Sequence, residues 1–328
     1  MRGYKTILVA GLCLFAWQTQ SLAQTNPLDA ARTAYEKGEY NQAIELLKAA
    51  AAKEPSNGDI QLLLTKAYLE SNQYDNAVRA AEKAVAIDPK NSVYHQILGE
   101  AYGGKAGHVG MLSAYSWARK TQKEFEAAVQ LNERNFDAQQ DLIEYDCTAP
   151  SMVGGGEDKG QALIQKLMTL DPAEGHFGEG LCKALKKDYA AADVEYAKAL
   201  ESKPKTADRI FDIGDYFRQR GQGEKLLQVA AAAEALAPSD PRVKYYRAIG
   251  WILTAQKYPE AEQLLKQYLG AEPMRSTYPA PWEAHYWLGR LYVAQKNAAQ
   301  AKSEYQEALK LNSKYKPAQE GLKQLNGQ

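Results

Sequence analysis

The sequence predicts an all-α fold, an α-solenoid of about eight helix pairs ending in a C-terminal capping helix. Three observations carry that expectation. The first is a period: residues 39–55, EYNQAIELLKAAAAKEP, align with residues 73–89, QYDNAVRAAEKAVAIDP, so that Tyr40 and Tyr74, Ala43 and Ala77, Ala50 and Ala84, and Pro55 and Pro89 stand 34 apart. Self-similarity at such a spacing marks a repeat array. The second is apolar residues at i, i+3, i+4 and i+7, with no long run that alternates as a strand would. The third is punctuation, since several units close on a proline, which cannot continue a helix.

Taken in order, residues 1–23 read as a secretory leader. Arg2 and Lys5 precede an apolar run from Ile7 to Trp17, and small residues end the segment at Ser21-Leu22-Ala23. The run is about half of the ~20 residues a spanning helix requires. Cleavage after Ala23 is expected, giving an exported chain, periplasmic or secreted, with no stable membrane insertion. Cys13 follows Leu12 rather than a small residue, which argues against a lipid anchor.

The solenoid is expected over 24–328, with repeats starting near 24, 58, 92, 135, 173, 207, 242 and 282. The third contains YHQILGEAY (94–102). The fifth contains DYAAADVEYAKALESKP (188–204), the seventh KYPEAEQLLKQYLGAEP (257–273), and the eighth HYWLGRLY (285–292) with NAAQAKSEYQEALKLNS (297–313). Ala318 to Leu325 reads as the capping helix that covers the last apolar face.

Insertions break the period near 103–120, 147–160 and 274–282. The first adds ten residues, because Ala128 follows Ala84 by 44 rather than 34. Its glycines, at 103, 104, 107 and 110, fit neither a phosphate loop nor a dinucleotide fingerprint. They predict a loop or irregular helix end. That stretch is either surface padding or, through Met111, Leu112, Tyr115 and Trp117, a lid over one rim.

The chain resembles the tetratricopeptide repeat family, whose pattern is W-x2-L-G-x2-Y…A-x3-F…P. His95, Leu98, Gly99 and Tyr102 fit the first half with His for Trp, as do His285, Leu288, Gly289 and Tyr292; Ala192, Tyr196, Ala199 and Pro204 fit the second, as do Ala301, Tyr305 and Ala308. The resemblance implies a right-handed superhelix with first helices on its concave side, serving as a binding scaffold. The family's clamp for an acidic chaperone terminus needs lysine and asparagine where this chain has Leu28 and Arg32, so that use is not implied.

Composition narrows the function. Forty basic residues balance forty acidic ones, which gives no drive toward nucleic acid. No HExxH, CxxC or GxSxG motif is present, so no catalytic residue, metal site or cofactor is expected. His95, His176 and His285 fall at the same point of three first helices and read as packing groups. Asp212 and Asp215 read as solvated. Cys147 and Cys182 lie on neighbouring first helices; two separate buried thiols are expected, although an oxidising compartment would allow pairing.

Reading the fifth position through the repeats gives Leu28, Leu62, Gln96, Gln139, Phe177, Phe211, Tyr246 and Tyr286. The last four are aromatic, with Arg218, Arg247 and Arg290 nearby. Rings and arginines in this pattern are the anchors of protein interfaces, and the expectation is a groove for a protein or peptide partner of the cell envelope. The rings could instead be core. A glycan or peptidoglycan-binding scaffold is the alternative, and an enzyme with an unrecognised site the second.

Overall fold

Ahead of successive helices stand Asn57, Asn91, Asn135, Asp171, Thr206 and Asp240. Each side-chain oxygen accepts a hydrogen bond from a backbone N–H in the first turn of the helix that follows. Such caps satisfy donors that a helix start leaves without intrahelical partners. Pro172, Pro241 and Pro281 occupy first positions, where the missing N–H costs nothing. Punctuation repeated at this interval cuts the chain into units.

A computed structural model describes residues 27–271 and 275–326, and the leader expected at 1–23 lies outside them. The described residues form seventeen α-helices and no strand. The first three pairs are α1 (Pro27–Glu36) with α2 (Tyr40–Lys53), α3 (Gly58–Glu70) with α4 (Tyr74–Ile87), and α5 (Ser92–Ala106) with α6 (Met111–Leu131). Then come α7 (Phe136–Thr148) with α8 (Glu157–Leu170), α9 (Pro172–Leu185) with α10 (Tyr189–Glu201), and α11 (Ala207–Gln219) with α12 (Gly223–Leu236). The array ends with α13 (Pro241–Leu253) and α14 (Tyr258–Leu269), α15 (Pro281–Ala294) and α16 (Ala298–Leu311), and the lone α17 (Lys316–Asn326). None of these is long and apolar enough to cross a membrane.

Within a pair, glycine or alanine lets the helices approach. A Cβ added at Gly99 would stand 2.5 Å from the Phe125 ring, and one at Gly289 would stand 2.4 Å from Tyr305. The three histidines mark the same seam: Nδ1 of His176 and of His285 each lie 2.7 Å from a glutamate nineteen positions on, Glu195 and Glu304. His95 meets Glu124, twenty-nine on, at 2.6 Å. The ten extra residues of the third repeat account for the difference. These imidazoles therefore join the two helices by hydrogen bonds as well as by packing.

Most of the insertion is helical, and the expected loop or irregular helix end is confined to residues 107–110. Gly103 and Gly104 continue α5, and α6 runs for 21 residues where α4 has 14. Gly104 is required by contact, since a Cβ there would meet the Tyr74 ring at 2.8 Å. The second insertion is a single 3-10 turn, Ser151–Val153, followed by Gly154 at φ +103°.

Cys147 and Cys182 are joined in a disulfide that ties α7 to α9, which overturns the expectation of two separate thiols. Their spacing of 35, close to one repeat, puts them side by side on neighbouring first helices.

Successive first helices pack against one another along most of the array, whereas among second helices only α10 and α12 do so to a similar degree. Closer packing on one side bends a stack toward that side, so the first helices form the inner wall. The bend is large. Ser276, in the link before α15, donates its backbone N–H to Glu36 O at 2.5 Å and its hydroxyl to Tyr35 O at 3.2 Å. The first repeat thus touches the link between the last two.

Candidate functional site: the inner wall of first helices

Side chains on the inner wall are tied from one first helix to the next. Gln96 of α5 donates through Nε2 to Asp141 of α7 at 2.9 Å and to Glu100 at 3.3 Å. Gln140 of α7 donates to the backbone and carboxylate oxygens of Glu174 in α9, both at 3.0 Å. Arg209 of α11 binds Glu174 and Asp137 at 3.1 Å and Asp212 at 3.0 Å. Arg242 of α13 binds Asp208 at 2.7 Å and Asp240 at 2.8 Å. Arg218 reaches Asp215 at 3.0 Å and Glu283 of α15 at 3.6 Å.

Each of these arginines is divided among two or three carboxylates, so acidic groups are in excess. Burial pushes the Asp141 carboxyl up to about 7, and the charge of Glu100 adds to the shift. Burial also raises Glu100, against the pull of Lys66. Asp212 is pushed up to about 6 by burial, against the pull of Arg209 and with a further push from Asp215, Asp208 and Asp137. Glu283 is raised by burial in spite of Arg218. Desolvation and like charge both disfavour the ionised carboxylate. A cation laid along this wall would reverse the second effect.

Three of the four aromatic residues expected to anchor a partner are core. Phe177 is 7% exposed and lies beneath the Arg209 guanidinium, 4.2 Å from its ring centre. Phe211, 3% exposed, lies beneath Arg242 at 4.1 Å and stacks on Tyr246 at 5.3 Å. Tyr246 is 1% exposed, and its hydroxyl donates to Asp215 at 2.8 Å. The physical reason is the bend, which brings each first helix against the next so that its arginine covers the preceding ring. Tyr286 is partly buried among Trp287, Tyr305 and Tyr315.

The three arginines named with those rings separate. Arg218 belongs to the wall. Arg247 turns to the second helix α12, where both its terminal nitrogens bind Glu234, at 3.0 and 2.7 Å, so it is not a groove residue. Arg290 is exposed above the Trp287 ring at 4.9 Å, beside a cleft between α15 and α17. Sequence reasoning missed Glu100, Asp137, Asp141, Asp208 and Glu283. The available signal was carboxylates recurring on first helices, which reading one position for aromatics passed over. Asp212, read as solvated, has a side chain 51% exposed, and its carboxyl is raised by burial and by the charges of Asp215, Asp208 and Asp137.

No group of three or more His, Cys, Asp or Glu side chains among the described residues is placed to hold a metal ion. Two tetratricopeptide repeat family models match the sequence, one at residues 34–101 and the other at 253–316. No curated protein matches it.

Among solved structures, a thermophilic tetratricopeptide repeat protein of Thermus thermophilus is 20% identical, with 58% of this chain and 97% of that chain covered and a TM-score of 0.47. A tetratricopeptide repeat protein from Parabacteroides merdae is 15% identical, covering 91% and 97%, with a TM-score of 0.45. The C-terminal part of a repeat-containing protein from Cytophaga hutchinsonii is 17% identical, covering 90% and 99%, with a TM-score of 0.40. Family models thus place tetratricopeptide repeats at residues 34–101 and 253–316, and helix pairs run between the two matched stretches.

Proposed function

We propose that this chain is an exported, non-catalytic scaffold that holds an extended protein segment bearing lysine and arginine side chains against its inner wall. Tetratricopeptide repeat proteins bind protein partners, and the wall gives the partner its chemistry. The observation that carries the reading is the excess of carboxylates, Glu100, Asp137, Asp141, Asp208, Asp212, Asp215 and Glu283, over the arginines shared among them. A basic segment supplies the missing positive charge, and complementary charge selects partners and speeds encounter. Phe211 and Tyr246, two of the rings that a sugar would have stacked on, are buried, which favours the peptide reading. Export is supported by the leader-like start of the sequence and by the Cys147–Cys182 bond, which suits an oxidising compartment.

The experiment is a titration of the protein with a labelled lysine-rich peptide of about 15 residues and its glutamate-rich counterpart, read by fluorescence anisotropy. The lysine-rich peptide is expected to bind and the other not. Asp141 and Asp212 carry carboxyls near 7 and 6, which must ionise to attract it, so affinity should rise between pH 5.5 and 7.5 with release of protons. Asp141→Asn with Asp212→Asn should weaken binding about tenfold and flatten the pH dependence. The same double variant should be no less stable than the parent at pH 8. A carboxyl with a raised folded-state pKa gives stability that is complete below its unfolded value and lost as pH rises through the folded one. Equal binding of both peptides, or binding unmoved by the double variant, would overturn the reading.

A further inference from the structure

The extended third repeat carries an apolar tip that neither the core nor the inner wall uses. Helix α6 begins with Met111 and Leu112, whose side chains are 81% and 93% exposed, and Tyr115 follows on the surface. Met152, 62% exposed, comes from the insertion between α7 and α8 and meets the Tyr115 hydroxyl through its sulfur. Further bonds hold the two insertions together. Gln122 Nε2 donates to Gly154 O at 2.7 Å, and the Tyr145 hydroxyl contacts the carbonyls of Ala118 and Val153 at 2.8 and 2.9 Å. The tip therefore sits on a braced frame.

Its own stretch of chain is basic. From Ala101 to Lys123 the chain holds Lys105, Arg119, Lys120 and Lys123 and no Asp or Glu. Lys105 is paired with Asp75 and Lys120 lies over Trp117, while Arg119 and Lys123 are exposed and in no ion pair among the described residues. A protruding pair of apolar side chains behind which cations gather is the arrangement of an interfacial anchor. The apolar groups enter the boundary between headgroups and acyl chains, and the cations meet anionic headgroups. A second copy of this chain fits worse, because a two-fold contact would bring the same cations face to face.

We propose that this tip docks the protein peripherally on an anionic phospholipid surface, with Met111 and Leu112 as the inserted groups. The test is co-sedimentation of the full chain with vesicles of phosphatidylcholine alone and with phosphatidylglycerol added, at low and high salt. Binding is expected only with phosphatidylglycerol and should fall as salt rises. Met111→Ser with Leu112→Ser should reduce partitioning at least about tenfold. The leader segment is common to both proteins, so this comparison isolates the tip, and both positions are so exposed that the helical spectrum and melting temperature should not change. Failure to bind anionic vesicles would overturn the proposal. So would partitioning that the double substitution leaves intact, or a concentration-dependent dimer that it abolishes while vesicle binding is absent.

Discussion

Tyr246→Ala is expected to cost about 3–5 kcal/mol of stability, the range for removing a large ring from a core. The side chain is 1% exposed, stacks on Phe211 and meets Tyr245 edge-on with 5.3 Å between centroids in each case. Truncation opens a cavity between α11 and α13 and also takes from Asp215 a hydrogen-bond donor, leaving Arg218 to hold that carboxylate alone. Tyr246→Phe keeps the ring and loses only the hydroxyl, so it should cost about 1 kcal/mol. In a repeat array each unit is held largely by its neighbours. A weakened junction between the sixth and seventh repeats should therefore split urea unfolding into two steps. A Tyr246→Ala protein with unchanged stability would mean that the ring is a surface anchor after all.

Reducing the Cys147–Cys182 bond is expected to lower stability by about 4 kcal/mol, the entropy that cross-linking residues 35 apart removes from the unfolded chain. The link spans the whole of α8 and joins two first helices where the second insertion leaves the array, beside the Gln140–Glu174 bonds between the same helices. Urea unfolding with and without dithiothreitol measures it. A Cys147→Ser and Cys182→Ser double variant should show the reduced value in both conditions. Identical midpoints for the parent protein with and without reductant, or two titratable thiols in these positions, would refute the bond.

The helix pairs were legible because their cause is local. Apolar spacing, a closing proline and a capping residue such as Asn57 or Asn91 act within a single unit, and the 34-residue interval repeats them. The extent of the first insertion's loop was not legible, because adjacent glycines at 103 and 104 usually signal a break, whereas here Gly104 makes room for Tyr74 from the preceding repeat. The aromatic stripe failed for a related reason. Whether Phe211 faces a partner or lies under Arg242 depends on how sharply one repeat bends onto the next, and no single unit specifies that angle. Cysteine spacing brought Cys147 and Cys182 to neighbouring helices, but helix rotation decides whether the two sulfurs meet. The crowding of Asp212 is partly local, from Asp208 and Asp215 one turn away on the same helix, and partly from Asp137, which only the fold brings near.

Photo-crosslinking tests the inner wall most directly. A lysine-rich peptide carrying a photoreactive side chain would be bound to the protein, irradiated, and its adducts located by mass spectrometry. Adducts are predicted on the first helices α5, α7, α11 and α15, near Glu100, Asp141, Asp212 and Glu283, and should disappear in high salt. Adducts confined to the second helices, or spread evenly over both sets, would contradict an acidic inner wall as the binding face.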